Sequence, residues 1–116
     1  MICAGTGFTP MVRVMHHCFH VTKTKTKMLF FNKEERDVIW RKDLDKLASE
    51  NFGVEHILSR GSEDWGGLRG RVSMKMLKGL LGVGKSPFVM VCGPELFTEA
   101  VCRFVGELDV EVHAFT

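Results

Sequence analysis

CAGTGFTP, residues 3–10, decides how the rest of the chain is read. The apolar MICA runs into two glycines and two threonines, and these lead at once into an amphipathic stretch opened by a proline, PMVRVMHHCF at residues 10–19. The succession is a strand end, a glycine turn and a helix start. Gly5 and Gly7 permit backbone angles that a Cβ forbids and let the chain come close to a diphosphate. The amides ahead of Pro10 stand on a helix dipole that favours an anion, and Thr6 and Thr9 add hydroxyl donors. Pro10 occupies the third glycine's place in G-x-G-x-x-G, and a tight strand-to-helix turn without a ligand accounts for the same residues.

Outward from that turn, short apolar runs alternate with helical patterns. MLFFN (28–32), VEHILS (54–59), FVMVC (88–92) and VEVHAF (110–115) are rich in β-branched and aromatic residues and read as strands. MICA is too short to cross a sheet and reads as the carboxyl end of another. Helical periodicity covers residues 10–19, with Met11, Val14, Met15, Cys18 and Phe19 on one face, and 37–50, with Val38, Leu44 and Leu47 inward. It returns over 73–81 and over 95–108, where Phe97, Val101, Phe104, Val105 and Leu108 form one stripe. The order predicts an α/β fold, a doubly wound five-stranded parallel sheet with strand order 3-2-1-4-5. The longest loop is GSEDWGGLRGR, residues 61–71, and loops of that length often carry function.

The chain has 116 residues, 45% of them hydrophobic, which suits one domain spanning 1–116. Sixteen basic against fourteen acidic residues leave +2, so no broad field draws nucleic acid or an anionic membrane. HVTKTKTK, residues 20–27, lacks aromatic side chains to stack on bases and reads as a solvated connection. Cys3, Cys18, Cys92 and Cys102 show no disulfide or CxxC spacing, which fits a reducing, cytosol-facing compartment. No signal peptide pattern and no apolar run of about 18 residues is present, so direct membrane insertion is not expected. His16, His17, Cys18 and His20 have the composition of a metal cluster, but consecutive helix positions point about 100° apart. No second ligand pair follows, so no metal is expected.

A second glycine pattern competes with the first. GLLGVGKS, residues 79–86, satisfies G-x-x-x-x-G-K-[ST] with Gly79, Gly84, Lys85 and Ser86 in place, and read alone it predicts a P-loop phosphohydrolase. Such a loop must leave a strand and enter a helix. Here a helical pattern precedes it and SPFVMVC, a strand pattern, follows, so a glycine-rich helix exit fits better. CGPELF, residues 92–97, follows the fourth strand instead. In the order 3-2-1-4-5, strands one and four flank the switch point where ligands bind, so GTGFTP and CGPE should face each other across one crevice.

A strand ending in GTGxTPM, a second ending in FN and a late CGP ahead of a helix together resemble the pyridine-nucleotide domain of the ferredoxin reductase-like flavoproteins. Within that family they are similar to the cytochrome b5 reductases, and AGTGFTPMV, LFFNK, IWR, LDKLA, VEHILS, EDWGG and CGPELFTE resemble the branch fused to a cytochrome b5. The likeness covers nearly the whole chain. It implies an NAD(P)H-dependent oxidoreductase in which an FAD-binding barrel precedes this domain, the chain here being a fragment with a truncated first strand. Gly5, Thr6 and Gly7 would hold the pyrophosphate and nicotinamide side of NADPH or NADH, with Thr9 and Pro10 shaping the turn and Asn32 closing the second strand beside it. Ala4 stands where the classical members have a further glycine.

Cys92, Gly93 and Pro94 would border the nicotinamide, and Cys92 and Thr6 are the residues implied nearest the reacting carbon. The Cys92 thiol packs beside the ring and is no nucleophile. Where NADH-preferring members carry an aspartate after the third strand, this chain has Ser59 and Arg60, a hydroxyl and a guanidinium suited to a 2′-phosphate. NADPH should therefore be accepted at least as readily as NADH. The resemblance further implies the FAD-binding domain of the same protein and cytochrome b5, or a fused cytochrome b5 domain, as partners. It implies a cytoplasmic location, the cytosolic face of the endoplasmic reticulum included. Trp40 and Trp65 read as local packing, and Phe115 as a weak site residue near the flavin face. A nucleotide-free interaction module with the same fold remains the other reading.

Overall fold

The computed structural model describes residues 1–81 and 87–115. Among these residues six strands form one all-parallel sheet: β1 (Ile2–Ala4), β2 (Thr26–Asn32), β3 (Phe52–Leu58), β4 (Leu68–Arg69), β5 (Val89–Cys92) and β6 (Val112–Ala114), in the order β4-β3-β2-β1-β5-β6. Four helices cross between them: α1 (Thr9–His17), α2 (Arg41–Lys46), α3 (Met74–Leu81) and α4 (Glu95–Glu107). The expected order 3-2-1-4-5 is present, with β4 added at one edge as a sixth strand.

Both faces of the sheet are covered, which is why β2 reads as an unbroken apolar run rather than an alternation. Met28 and Phe30 face one side and join Cys3, Phe8, Met11, Met15, Leu44 and Phe52 in a core under α1 and α2. Leu29 and Phe31 face the other and join Ile2, Ile57, Leu77, Val89, Val91, Val101 and Val105 under α3 and α4. The stripe expected on α4 is all present there, with Phe97, Phe104 and Leu108 packed around Val101 and Val105.

The helices differ from periodicity at their ends. Residues Gly5–Phe8 already form a 3-10 turn that feeds α1 directly. Beyond His17 the helix widens into a π turn over Cys18–Thr22, stopped by Lys23 at φ 52°. Helix α2 is much shorter than the expected 37–50. A 3-10 turn at Glu35–Asp37 precedes it, and Trp40, at φ 55°, interrupts the helical path just before Arg41. As a result Leu44 is buried, while Leu47, expected inward, lies past the helix end and is 44% exposed. Ser73 caps α3, its Oγ accepting from the Met76 N–H at 3.2 Å. Phe88 and Val110 fall outside the strands that periodicity gave them, and Phe88 is exposed.

Candidate functional site

The GTG turn and the CGP turn meet at the carboxyl edge of the sheet. Cys3 of β1 is the register partner of Cys92 of β5, so the two strands deliver their turns side by side. Gly7 is buried against that neighbour: a Cβ on it would lie 2.2 Å from the Cys92 carbonyl oxygen and 2.7 Å from the Gly93 nitrogen. No other residue fits. Gly5 differs, with φ +55° and open space where its Cβ would be. Its turn is a 3-10 helix, whose first amides have no partner within the helix and stand ready for an acceptor.

Beside these turns opens a cleft of about 700 Å³. Its wall brings together Gly5, Asn32, Ser59, Arg60 and Pro94 from four separate segments of the chain. Backbone pairing past the strand ends explains the gathering: the Ser59 N–H donates to the Asn32 carbonyl at 3.0 Å and the Arg60 N–H to the Lys33 carbonyl at 2.7 Å. The remaining residues expected at the site lie elsewhere. Thr6 is exposed on the turn, Gly7, Cys92 and Gly93 are packed together behind it, and Thr9 and Pro10 border shallow grooves along α1. Phe115 lies on one of those grooves, beside Pro10 and Val14.

Asn32 supplies an independent sign of a ligand. It is 7% exposed, lines the cleft, and among the described residues its Nδ2 has no hydrogen-bond partner. A buried amide left without an acceptor costs about 1–3 kcal/mol, a cost that an oxygen-bearing ligand in the cleft would remove. In the apolar part of the wall, Phe31, Val72 and Leu96 were not singled out in the sequence and Phe97 was assigned only to the core stripe of α4; Leu96 is 81% exposed, unusual for leucine on a helix start. Lys33, Asp37 and Arg71 complete the polar part and were missed because isolated charges in loops read as solvated.

The loop at 61–71 is closed by its own side chains. Arg69 donates to the carbonyls of Gly61 at 3.0 Å, Ser62 at 2.6 Å and Trp65 at 2.5 Å, while Trp65 Nε1 donates to the Leu68 carbonyl at 2.9 Å. Arg41 of α2 lies 5.1 Å from the Trp65 ring centroid, a cation–π contact that fixes the loop to the body. Trp40, by contrast, meets Phe8 edge-on at 5.8 Å.

The triphosphate-loop reading finds no support. Gly79 stands within α3, residues 82–86 with Gly84, Lys85 and Ser86 lie outside the described residues, and the chain runs from helix to strand across the segment. Burial pushes the Cys3 thiol up to about 12, so beside Cys92 it stays protonated at neutral pH.

A parallel doubly wound sheet with its glycine turn at the switch point defines a dinucleotide-binding domain. The chain belongs to the oxidoreductase NAD-binding domain family, whose profile matches residues 1–103. Cytochrome b5 reductase 4 of Rattus norvegicus is 42% identical over a 126-residue alignment that covers all of this chain and 24% of that protein. The nitrate reductase [NADPH] of Leptosphaeria maculans is 37% identical over 100 residues, covering 82% of this chain and 11% of that one. Among solved structures, the CS-b5R domains of human Ncb5or in their NAD+ form superpose with a TM-score of 0.93 at 39% identity, over 99% of this chain and 35% of that one. The ferredoxin reductase-like class expected from the sequence is the fold observed. The chain spans about a quarter of the length of the cytochrome b5 reductase relatives it matches.

Proposed function

We propose that this chain is the NAD(P)H-binding half of a flavin-dependent reductase of the cytochrome b5 reductase type. The observation that carries the reading is the meeting of the two glycine turns at the mouth of a cleft whose wall holds Gly5, Asn32, Ser59 and Arg60. When bound, the nicotinamide supplies a hydride to an FAD held by another domain of the same protein, for onward one-electron transfer to a haem protein such as cytochrome b5.

The chain's own part is to bind and orient. The turn amides at Gly5, Thr6 and Gly7 take the pyrophosphate, backed by α1. The Asn32 amide donates to an oxygen of the bound nucleotide and thereby gains the partner it lacks. Gly93 and Pro94, with the small Cys92 thiol, leave a flat border for the nicotinamide, and Thr6 contributes a hydroxyl at the exposed rim. Ser59 and Arg60 at the far end suit a 2′-phosphate, so NADPH is accepted at least as readily as NADH.

Titration of the full chain with NADPH, NADH and magnesium-ATP, followed through the amide NMR signals of Gly5, Gly7 and Gly93, tests this. Saturable shifts of those three signals with the reduced nucleotides, and none with magnesium-ATP, are expected. A folded sample silent to both reduced nucleotides overturns the reading and favours an interaction module that keeps the fold without the ligand.

A further inference from the structure

The histidines and the cysteine of HHCFH, residues 16–20, are not expected to act together, because neighbours on a helix point apart. The structure sorts them. Cys18 packs against the core beneath α1 and α2, His17 borders the groove that Pro10 and Phe115 share, and His16 and His20 stay exposed. His16 and His20 meet, with ring centroids 4.7 Å apart and the rings tilted rather than face to face.

The widened end of the helix produces that meeting. In a regular α-helix a step of four residues overshoots one turn by about 40°. The π turn over Cys18–Thr22 is wider and takes up the overshoot, which brings His20 round over His16. It is closed by the Lys23 and Thr24 amides, both donating to the Cys18 carbonyl, the second at 3.1 Å. Both imidazoles therefore stand at the carboxyl end of α1, where the helix dipole favours a cation, and among the described residues neither has an ion-pair partner.

We infer that His16 and His20 form a two-nitrogen chelate for a divalent transition-metal ion, which clamps the π turn onto α1. Imidazole nitrogens suit zinc, nickel and copper, whereas magnesium and calcium take oxygen ligands. Two ring nitrogens, each about 2.0–2.1 Å from one ion, set the ring centres about 4.5–5.2 Å apart for bond angles between octahedral and tetrahedral. The observed separation falls in that range. Among the described residues no third His, Cys, Asp or Glu completes a ligand set, so water takes the remaining positions. The glycine turn lies at the opposite end of α1, so the chelate is separate from the nucleotide-binding reading.

The test titrates zinc, nickel and magnesium chlorides into the full chain and into His16→Gln, His20→Gln and His17→Gln, with calorimetry for affinity and hydrogen exchange for the Lys23 and Thr24 amides. All three side chains are exposed, so the variants keep the fold. The parent is expected to bind one zinc or nickel ion and no magnesium, with either His16→Gln or His20→Gln weakening it about tenfold or more and His17→Gln changing it by less than about twofold. Bound zinc should slow exchange at Lys23 and Thr24 in the parent and leave it unchanged in His16→Gln. Undiminished affinity in His16→Gln or His20→Gln, as ligation by thiols would give, overturns the chelate, and so does a parent that binds neither zinc nor nickel. Zinc binding that leaves the two amides at their metal-free rate overturns the clamp.

Discussion

The two glycines of the first turn, Gly5 and Gly7, carry different loads. Gly7 has no room for a methyl group, because the carbonyl of Cys92 occupies the place. Gly7→Ala should cost about 3 kcal/mol or more in urea unfolding, since backbone on both sides would have to part. Gly5 has the room but not the angle. Gly5→Ala should cost only about 1–2 kcal/mol, the strain of a left-handed residue, while weakening nucleotide binding more than stability. Cys3 makes a pH prediction. Desolvation raises its pKa from 9.0 to about 12, so the folded state holds the proton more tightly than the unfolded one. Its stabilising share is complete below pH 9 and is lost as pH rises toward 12, at about 1.4 kcal/mol per unit. Urea midpoints between pH 8 and 10.5 should fall less steeply in Cys3→Ala than in the parent.

At the scale of elements, the loop at 61–71 behaves as a small closed unit rather than a slack connection. Trp65→Ala removes the bond to Leu68 and the seat of Arg41, and Gly67 would lose the ring that fills the space beside it. Faster amide exchange at Gly70 is expected, with global stability changed by less than about 1 kcal/mol, because the loop adds little to either core. This loop also marks where sequence reading ran out. The long strands were legible because β2 and β3 are buried runs, and α1, α3 and α4 because each shows an apolar stripe. Strand β4 has two exposed residues next to glycines and no period to detect. Helix α2 was overdrawn because the residue that halts the helical path, Trp40, does so through its backbone angle and not its hydropathy. The two turns were legible where glycine and proline spell them, and Ser59 and Arg60, expected from the family resemblance, do line the cleft beside them. Lys33 and Arg71 were not expected there, since only pairing of β2, β3 and β4 brings three distant charges to one wall.

In the whole molecule, one sheet separates two cores that share almost no side chains. Leu44 lies under α2 on one face and Leu77 in α3 on the other, both essentially inaccessible. Leu44→Ala and Leu77→Ala should each cost about 2–5 kcal/mol by chemical unfolding. The double variant should equal their sum to within about 0.5 kcal/mol, because the cavities lie on opposite sides of the backbone layer. A large positive interaction energy would show that the sheet transmits strain from one face to the other.

β1 sits between the two halves of that sheet, and this has a kinetic consequence. Ile2 of β1 is the register partner of Leu29 on one side and Val91 on the other. No bond of β1 is therefore local. Closing a ring from Ile2 to Val91 costs more chain entropy than any hairpin, and neither half of the sheet, β2-β3-β4 or β5-β6, gains its inner neighbour until that closure occurs. Assembly is thus gated by the arrival of β1 between two waiting edges, which sets a high contact order and folding on the slow side for a domain of this size. Until then the inner edges of β2 and β5 stay open, and in a crowded cell they are the surfaces most exposed to pairing with the wrong chain.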